Sequence, residues 1–310
     1  MSILLRTVIA LWTAVMLASA PAAAQDRVKV IASFSILADL VKNVGGDRVD
    51  LSVLVGRGSD AHVYAPTPAD ARKVAEARLV VVNGLGFEGW LDRLIKAAGG
   101  KATVVVAAKG IKARKAAGDH DHDRKHGHKH DHDDDVDPHA WQNVLNVKTY
   151  VANIRDALAS ADPAGTDTYK ANAAAYSARL DALNADVRAA IAKIPSARRK
   201  IITNHDAFGY FGAAYGIRFV APQGVATESE PSARDVARII SQIRRQRIPA
   251  VFLENISDPR LMQRIAKETG AKIGGTLYSD ALTAANGPAP TYIDMMRHNL
   301  GTLTGALTTS

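Results

Sequence analysis

Apolar residues recur along this chain in two alternating rhythms. Continuous β-rich runs at 28–34, 49–55, 79–83 and 102–107 predict buried strands. Between them, apolar positions at helical spacing predict helices through Val41, from Pro68 onward and over 88–98. Thr67-Pro68-Ala69-Asp70 reads as a helix start: Thr caps, Pro takes the first position and an acid the third. Strands alternating with helices predict a parallel sheet covered on both faces. Ligands in such sheets bind in loops beyond the strand carboxyl ends. The turn-rich segment 56–66, which carries His62, is such a loop.

The alternation breaks once and then restarts. Asn146 predicts the cap of a helix reaching about Ser160, and Asp162-Pro163 interrupts the chain. From Thr166 to Ile194 there is no Gly or Pro, and Tyr169, Ala173, Tyr176, Leu180 and Leu183 fall at helical spacing. At 1.5 Å per residue such a helix spans roughly 40 Å. Its length and midpoint position favour a connecting spine over a helix lying on one domain. Beyond it come strands at 201–203, 219–220, 250–253 and 272–277. Helices are predicted at 207–215, 233–244 (behind a Ser232–Asp235 capping box), 259–269 and 291–303. The pattern therefore predicts an α/β fold of two Rossmann-like lobes with parallel sheets, joined by one long linking helix. The lobes are residues 25–165 and 196–310, and the helix is 166–195.

Length and composition suit two cores, since the chain has 310 residues and 47% of them are apolar. Residues 1–24 belong to neither. Arg6 is their one charge, 11–18 is an apolar run, and 20–24 end in Ala-x-Ala, which predicts a secretory signal peptide. No second apolar run approaches membrane-spanning length. Exported and without cysteine, the protein is expected to be soluble, with neither disulfides nor a thiol for a lipid. Of the net charge of +8, part sits in basic clusters at 198–200 and 244–247. Export, and their place where helices end, argue against nucleic acid as a partner.

Candidate chemistry concentrates at 118–141. His120, His122, His126, His128, His130 and His132, six of the ten histidines, crowd there with acids among them. The tract 118–135 has almost no apolar side chain to bury and cannot offset the entropy of ordering, so a loosely held loop is expected. Imidazole with carboxylate is a ligand set for zinc, which makes these six candidate weak metal sites. Asp137-Pro138-His139-Ala140-Trp141 differs: Pro138 restricts the backbone and Trp141 anchors it, so His139 is expected to be held rigidly. A lone loop histidine is more often a surface residue, the reading given to His298. His62, His139, His205 and Asp280 each sit at a strand end or beside a rigid turn, at equivalent places in the two halves. Together they offer three neutral imidazoles and one carboxylate, a tetrahedral zinc set. Tyr64, Trp141 and Phe208 are the expected apolar wall around them.

Several motifs spread over the whole mature chain carry a resemblance. They are His62-Val63-Tyr64-Ala65-Pro66, Asp137-Pro138-His139-Ala140-Trp141, Thr203-Asn204-His205-Asp206-Ala207-Phe208, Glu230-Pro231-Ser232-Ala233, and Tyr278-Ser279-Asp280 with Tyr292-Ile293-Asp294-Met295-Met296. Through them the sequence resembles the periplasmic metal-binding proteins of ABC importers, the cluster A-I group. That group includes ZnuA-like zinc proteins and manganese-binding adhesin-like lipoproteins, and this chain is most similar to the AztC type of zinc protein. The resemblance implies metal in a cleft between the lobes and carries ligand roles onto His62, His139, His205 and Asp280, two per lobe. It implies Zn2+ as transported cargo, an ABC permease as partner, a periplasmic zinc chaperone as a further partner, and action as a monomer. A zinc hydrolase is disfavoured because His-Glu-x-x-His is absent and Asp280 would close the coordination sphere. A zinc buffer relying on the tract is the other alternative. Three departures stand out. There is no lipobox cysteine, so free diffusion in the periplasm is expected. Ala61 stands where some zinc relatives carry a carboxylate. His205 stands where manganese relatives carry a carboxylate, and imidazole there favours zinc over harder cations.

Overall fold

The computed structural model describes residues 27–116 and 136–308. The predicted signal segment 1–24, the His-rich tract 118–135 and its six histidines lie outside the described residues. In the first sheet β1 (Val28–Phe34) runs between β2 (Val49–Val55) and β3 (Leu79–Val82), with β4 (Thr103–Val106) beyond β3. All three pairings are parallel, as the helices between consecutive strands require. Those helices are α1 (Ser35–Gly45), α2 (Pro68–Glu76) and α3 (Leu91–Ala97). The Thr67 cap forms as expected. Its side chain accepts from the Asp70 N–H while Asp70 Oδ2 accepts from the Thr67 N–H.

α3 begins three residues later than the apolar spacing suggests, because Glu88 turns inward. Its Oε1 accepts from the Ser33 hydroxyl (2.6 Å) and the Asn83 N–H (2.7 Å), and Oε2 accepts from the Gly84 N–H (3.2 Å). Burial pushes this carboxyl above its ordinary value, with those three bonds opposing the shift. The chain meanwhile passes through positive φ at Gly84, Leu85 and Gly86, which no helix can follow.

β5 (Arg114–Lys115) and β6 (Val136–Asp137) then pair antiparallel, a short stem on either side of the tract that periodicity did not announce. Helix α4 (Val144–Ala161) is capped by Asn143, not Asn146: the Asn143 side chain accepts from the Leu145 N–H. A single turn at Ala140–Gln142 delivers the chain early, and Asn146 donates back to the Ala140 carbonyl from inside the first helical turn.

The long helix α5 (Thr166–Ala192) has 27 residues, about 40 Å at the helical rise. It packs against α1 and α4. Beyond it the second lobe repeats the plan with β7 (Lys200–Ile202), β8 (Arg218–Val220), β9 (Ala250–Glu254) and β10 (Lys272–Leu277). Their order is β10-β9-β7-β8, which by sequence of appearance is the order of the first sheet. Helices α6 (Gly209–Tyr215), α7 (Ala233–Gln246), α8 (Arg260–Thr269) and α9 (Tyr292–Thr308) complete it, and α5 also packs on α6 and α9. Hydrogen bonds stitch the lobes together. The Tyr292 N–H donates to Asp39 (2.9 Å), the Leu282 N–H to the Ser35 hydroxyl (3.0 Å), and Arg57 Nη1 to the carbonyls of Thr283 (2.6 Å) and Pro290 (2.7 Å). Among the described residues no helix is long and apolar enough to cross a membrane.

Candidate metal centre

His62, His139, His205 and Asp280 converge, each nearly or completely buried, with one donor atom from each lying within 4.8 Å of the others. His62 comes from the loop after β2, His139 from the turn after β6, His205 from the end of β7 and Asp280 from the end of β10. His62 Nε2 lies 3.3 Å from His139 Nε2 and 3.4 Å from Asp280 Oδ2. His205 Nε2 is 3.1 Å from Asp280 Oδ2, and His139 Nε2 is 3.6 Å from Asp280 Oδ1. Bonds of about 2.05 Å at tetrahedral angles put donors about 3.3 Å apart, so this cluster has the dimensions of a metal cage. Asp280 Oδ1 is buried with no hydrogen-bond donor, a cost that a cation removes.

Carboxylates hold two of the imidazoles from behind. Asp137 Oδ1 accepts from the His139 N–H (3.0 Å) and lies 2.9 Å from its Nδ1. Glu254 Oε1 accepts from the His205 N–H, and Oε2 lies 2.6 Å from its Nδ1. Such partners fix the ring so that Nε2 faces the cage, and they make it a stronger donor. His62 is held through its backbone, whose N–H donates to Asp60 Oδ1 at 2.9 Å. Asp60 Oδ2 in turn accepts from Thr227 of the opposite lobe. Pro138 is pinned as well, its carbonyl accepting from Asn83 Nδ2 at 2.9 Å.

Electrostatics follow from this crowding. Burial alone would lower the His139 imidazole, but Asp280 and Asp137 overrule it and raise it to about 9. Burial is likewise overruled at His205, which Glu254 and Asp280 hold well above its ordinary value. Burial would raise the Asp280 carboxyl, yet His139 and His205 hold it well below the usual range. A site that stabilises positive charge this strongly suits a divalent cation in place of protons.

All four expected residues meet, while the expected wall needs correction. Trp141 stands edge-on to His139 with ring centres 5.2 Å apart. Tyr64 packs instead on Trp90 and donates to Asp70, and Phe208 stacks on Phe219. Their place is taken by Phe87, edge-on to His62 at 4.6 Å, whose Gly-rich turn gave no sequence signal. Glu254 was also missed, since a lone acid at a strand end reads as surface. Asp137 had a signal, as it sits two residues before a ligand candidate. His298 lies apart from the cage, half-buried against Tyr278, with Nε2 3.1 Å from the Thr276 carbonyl.

Two α/β lobes around a buried cluster of three imidazoles and a carboxylate define a metal-binding protein. Its family follows from comparison: the model for the zinc-uptake complex component A periplasmic family (ZnuA) matches residues 30–306, and the chain belongs to that family. It is 34% identical over 282 residues to the manganese-binding lipoprotein MntA of Halalkalibacterium halodurans, covering 91% of this chain and 89% of that protein. It is 32% identical over 291 residues to the iron-binding protein YfeA of Yersinia pestis, covering 94% and 90%. The periplasmic zinc-binding protein TroA of Treponema pallidum superposes with a TM-score of 0.83 at 30% identity, over 91% of this chain and 100% of that one. Further relatives are named as substrate-binding lipoproteins of metal ABC transporters. This protein is accordingly a metal-binding substrate-binding protein of an ABC transporter, a family that works with a permease. The lipoprotein names correct one expectation, that of a soluble protein diffusing freely without an anchor. Relatives matched along most of this chain carry lipoprotein names.

Proposed function

We propose that the cargo is zinc, captured by His62, His139, His205 and Asp280 and handed to an ABC permease for uptake. The observation that carries this reading is the donor set, three imidazoles and one carboxylate at tetrahedral spacing. Nitrogen-rich sets favour zinc, whereas manganese and other hard cations favour oxygen. The named relatives bind manganese, iron or zinc, so the choice rests on the donors of this chain. In the same reading residues 25–165 and 196–310 act as the two lobes, 166–195 joins them, and the protein works as a monomer loaded by a periplasmic zinc chaperone. The tract histidines His120 to His132 serve as weaker auxiliary sites.

Competition titrations of zinc against manganese test the reading. The parent should hold one zinc far more tightly than manganese. His205→Glu, with two carboxylates and two imidazoles, should narrow that preference by tenfold or more, on the order of 1.4 kcal/mol. A parent that prefers manganese would reject zinc as cargo. An unchanged ratio in the variant would mean that cage geometry, not donor type, sets the preference.

A further inference from the structure

Arg114 on β5 stands opposite Asp137 on β6. Asp137 spends Oδ1 on the backbone and ring of His139. Its other oxygen, Oδ2, is buried without a hydrogen bond and faces Arg114 Nε at 3.5 Å. Arg114 Nε is buried without a hydrogen bond too, so the two meet as opposite charges and not as an aligned donor and acceptor. The second lobe closes over this pair. A Cβ at Gly209 would come 2.5 Å from Asp137 Oδ2 and 2.6 Å from Arg114 Nε, so any side chain there must displace the pair. The next residue, Tyr210, accepts the Arg114 N–H on its hydroxyl at 2.9 Å and fixes the strand.

A guanidinium against the far oxygen of Asp137 draws negative charge away from the oxygen that faces His139. It also places a positive charge behind a site built for a cation. Both effects weaken donation from His139 Nε2, opposite to what the Asp137 carboxylate alone would do. A transport protein must release its metal as well as capture it, and such a counterweight serves release. We propose that Arg114 is a positioning residue of the metal centre: acting through Asp137, it loosens the hold of His139 and speeds release of the cargo. This rests on the reading above, in which His139 is a ligand. The Arg114 side chain is 34% exposed, so solvent screening keeps the effect moderate.

Zinc release to a strong chelator, followed by stopped flow, and zinc affinity by competition provide the test. The proteins are the full chain, Arg114→Gln, Arg114→Lys and His139→Ala. Gln keeps a planar amide donor beside Asp137 and removes the charge, whereas Lys keeps the charge and removes the planar fork. Arg114→Gln should release zinc about threefold to tenfold more slowly and bind it correspondingly tighter. Arg114→Lys should stay within about twofold of the parent. If Arg114 only supports the fold, Arg114→Gln releases zinc faster and binds it more weakly, and the proposal is overturned. An unchanged rate overturns it also, as does Lys behaving like Gln. Should the Gln variant not fold, Arg114→Met carries the same expectation. Parent-like zinc affinity in His139→Ala would instead remove His139 from the ligand set, an outcome separable from any result at Arg114.

Discussion

Glu254 grips His205 at two points, taking the backbone N–H on Oε1 at 2.9 Å and setting Oε2 2.6 Å from Nδ1. Glu254 ends β9 and His205 follows β7, the adjacent parallel strand, so sheet register alone brings them together. The grip fixes the ring with Nε2 toward the cage and adds negative charge behind it. Replacing Glu254 by Gln keeps the shape and removes the charge. Zinc affinity should fall about tenfold to a hundredfold while the fold persists. Chelator competition reads the affinity and circular dichroism the fold; unchanged affinity would show that the carboxylate charge does not reach the metal.

A second prediction concerns pH, with its sign fixed by His139. The folded value of about 9 lies above the ordinary 6.5, so protonated His139 stabilises the metal-free protein. That stabilisation is complete below about 6.5 and is lost as pH rises through about 9. Metal requires the neutral ring, so binding at pH 7.5 must expel a proton and affinity must climb across this window. Calorimetry at pH 7.5 in buffers of different ionisation enthalpy should show net proton release. Heats independent of the buffer would mean that His139 is already neutral in the metal-free protein.

Deleting residues 119–135 addresses the tract. A ligand-rich segment tethered beside a tight site raises the local metal concentration without altering the site itself. One tight site of nearly parental affinity should therefore remain in the deletion, while additional weaker zinc binding disappears. Loading should slow when zinc arrives on a buffered donor and hardly change when free zinc is in excess. Identical stopped-flow loading curves in both conditions would leave the tract without a transport role.

The fold was largely legible because most strands of the two parallel sheets are short apolar runs and most helices carry a cap or a periodic face. Thr67 and Ser232 announced their helices from local chemistry alone, and both caps are present. Legibility failed where a long-range contact overruled a local signal. Glu88 looked like a helix start until Ser33 and the turn at Asn83 claimed its carboxylate. Asn146 looked like a cap until Asn143 reached the position first. At the site, His62, His139, His205 and Asp280 could be nominated because imidazoles at strand ends are rare and the motifs around them are distinctive. Glu254, Asp60 and Phe87 could not. Their roles exist only through neighbours remote in sequence, and an isolated Glu, Asp or Phe carries no trace of that.

The last prediction concerns how Asp280 is aimed. The carbonyl of Ser279, the residue before it, accepts two bonds from the turn that follows His139: Trp141 Nε1 at 2.9 Å and Gln142 Nε2 at 2.8 Å. Two donors from one lobe thus fix the peptide that presents the carboxylate of the other. Trp141 is fully buried, packed edge-on against both Phe87 and His139, and its own carbonyl accepts from the Tyr292 hydroxyl at 2.7 Å. Trp141→Phe keeps an aromatic ring while removing the indole donor and part of the volume. One lost hydrogen bond is worth about 1 kcal/mol and the smaller ring leaves a void, so stability should drop by about 2–3 kcal/mol. Gln142 still holds the Ser279 carbonyl, so the cage should survive in looser form. Zinc release should accelerate several-fold, on the scale of about 1 kcal/mol in the barrier. Trp90→Phe acts on a different ligand, since its indole donates to the Ala61 carbonyl, the peptide that presents His62. Release rates and urea unfolding of Trp141→Phe, measured together, check the aim of Asp280. If stability falls while release keeps the parental rate, the bond to Ser279 has no particular part in aiming Asp280.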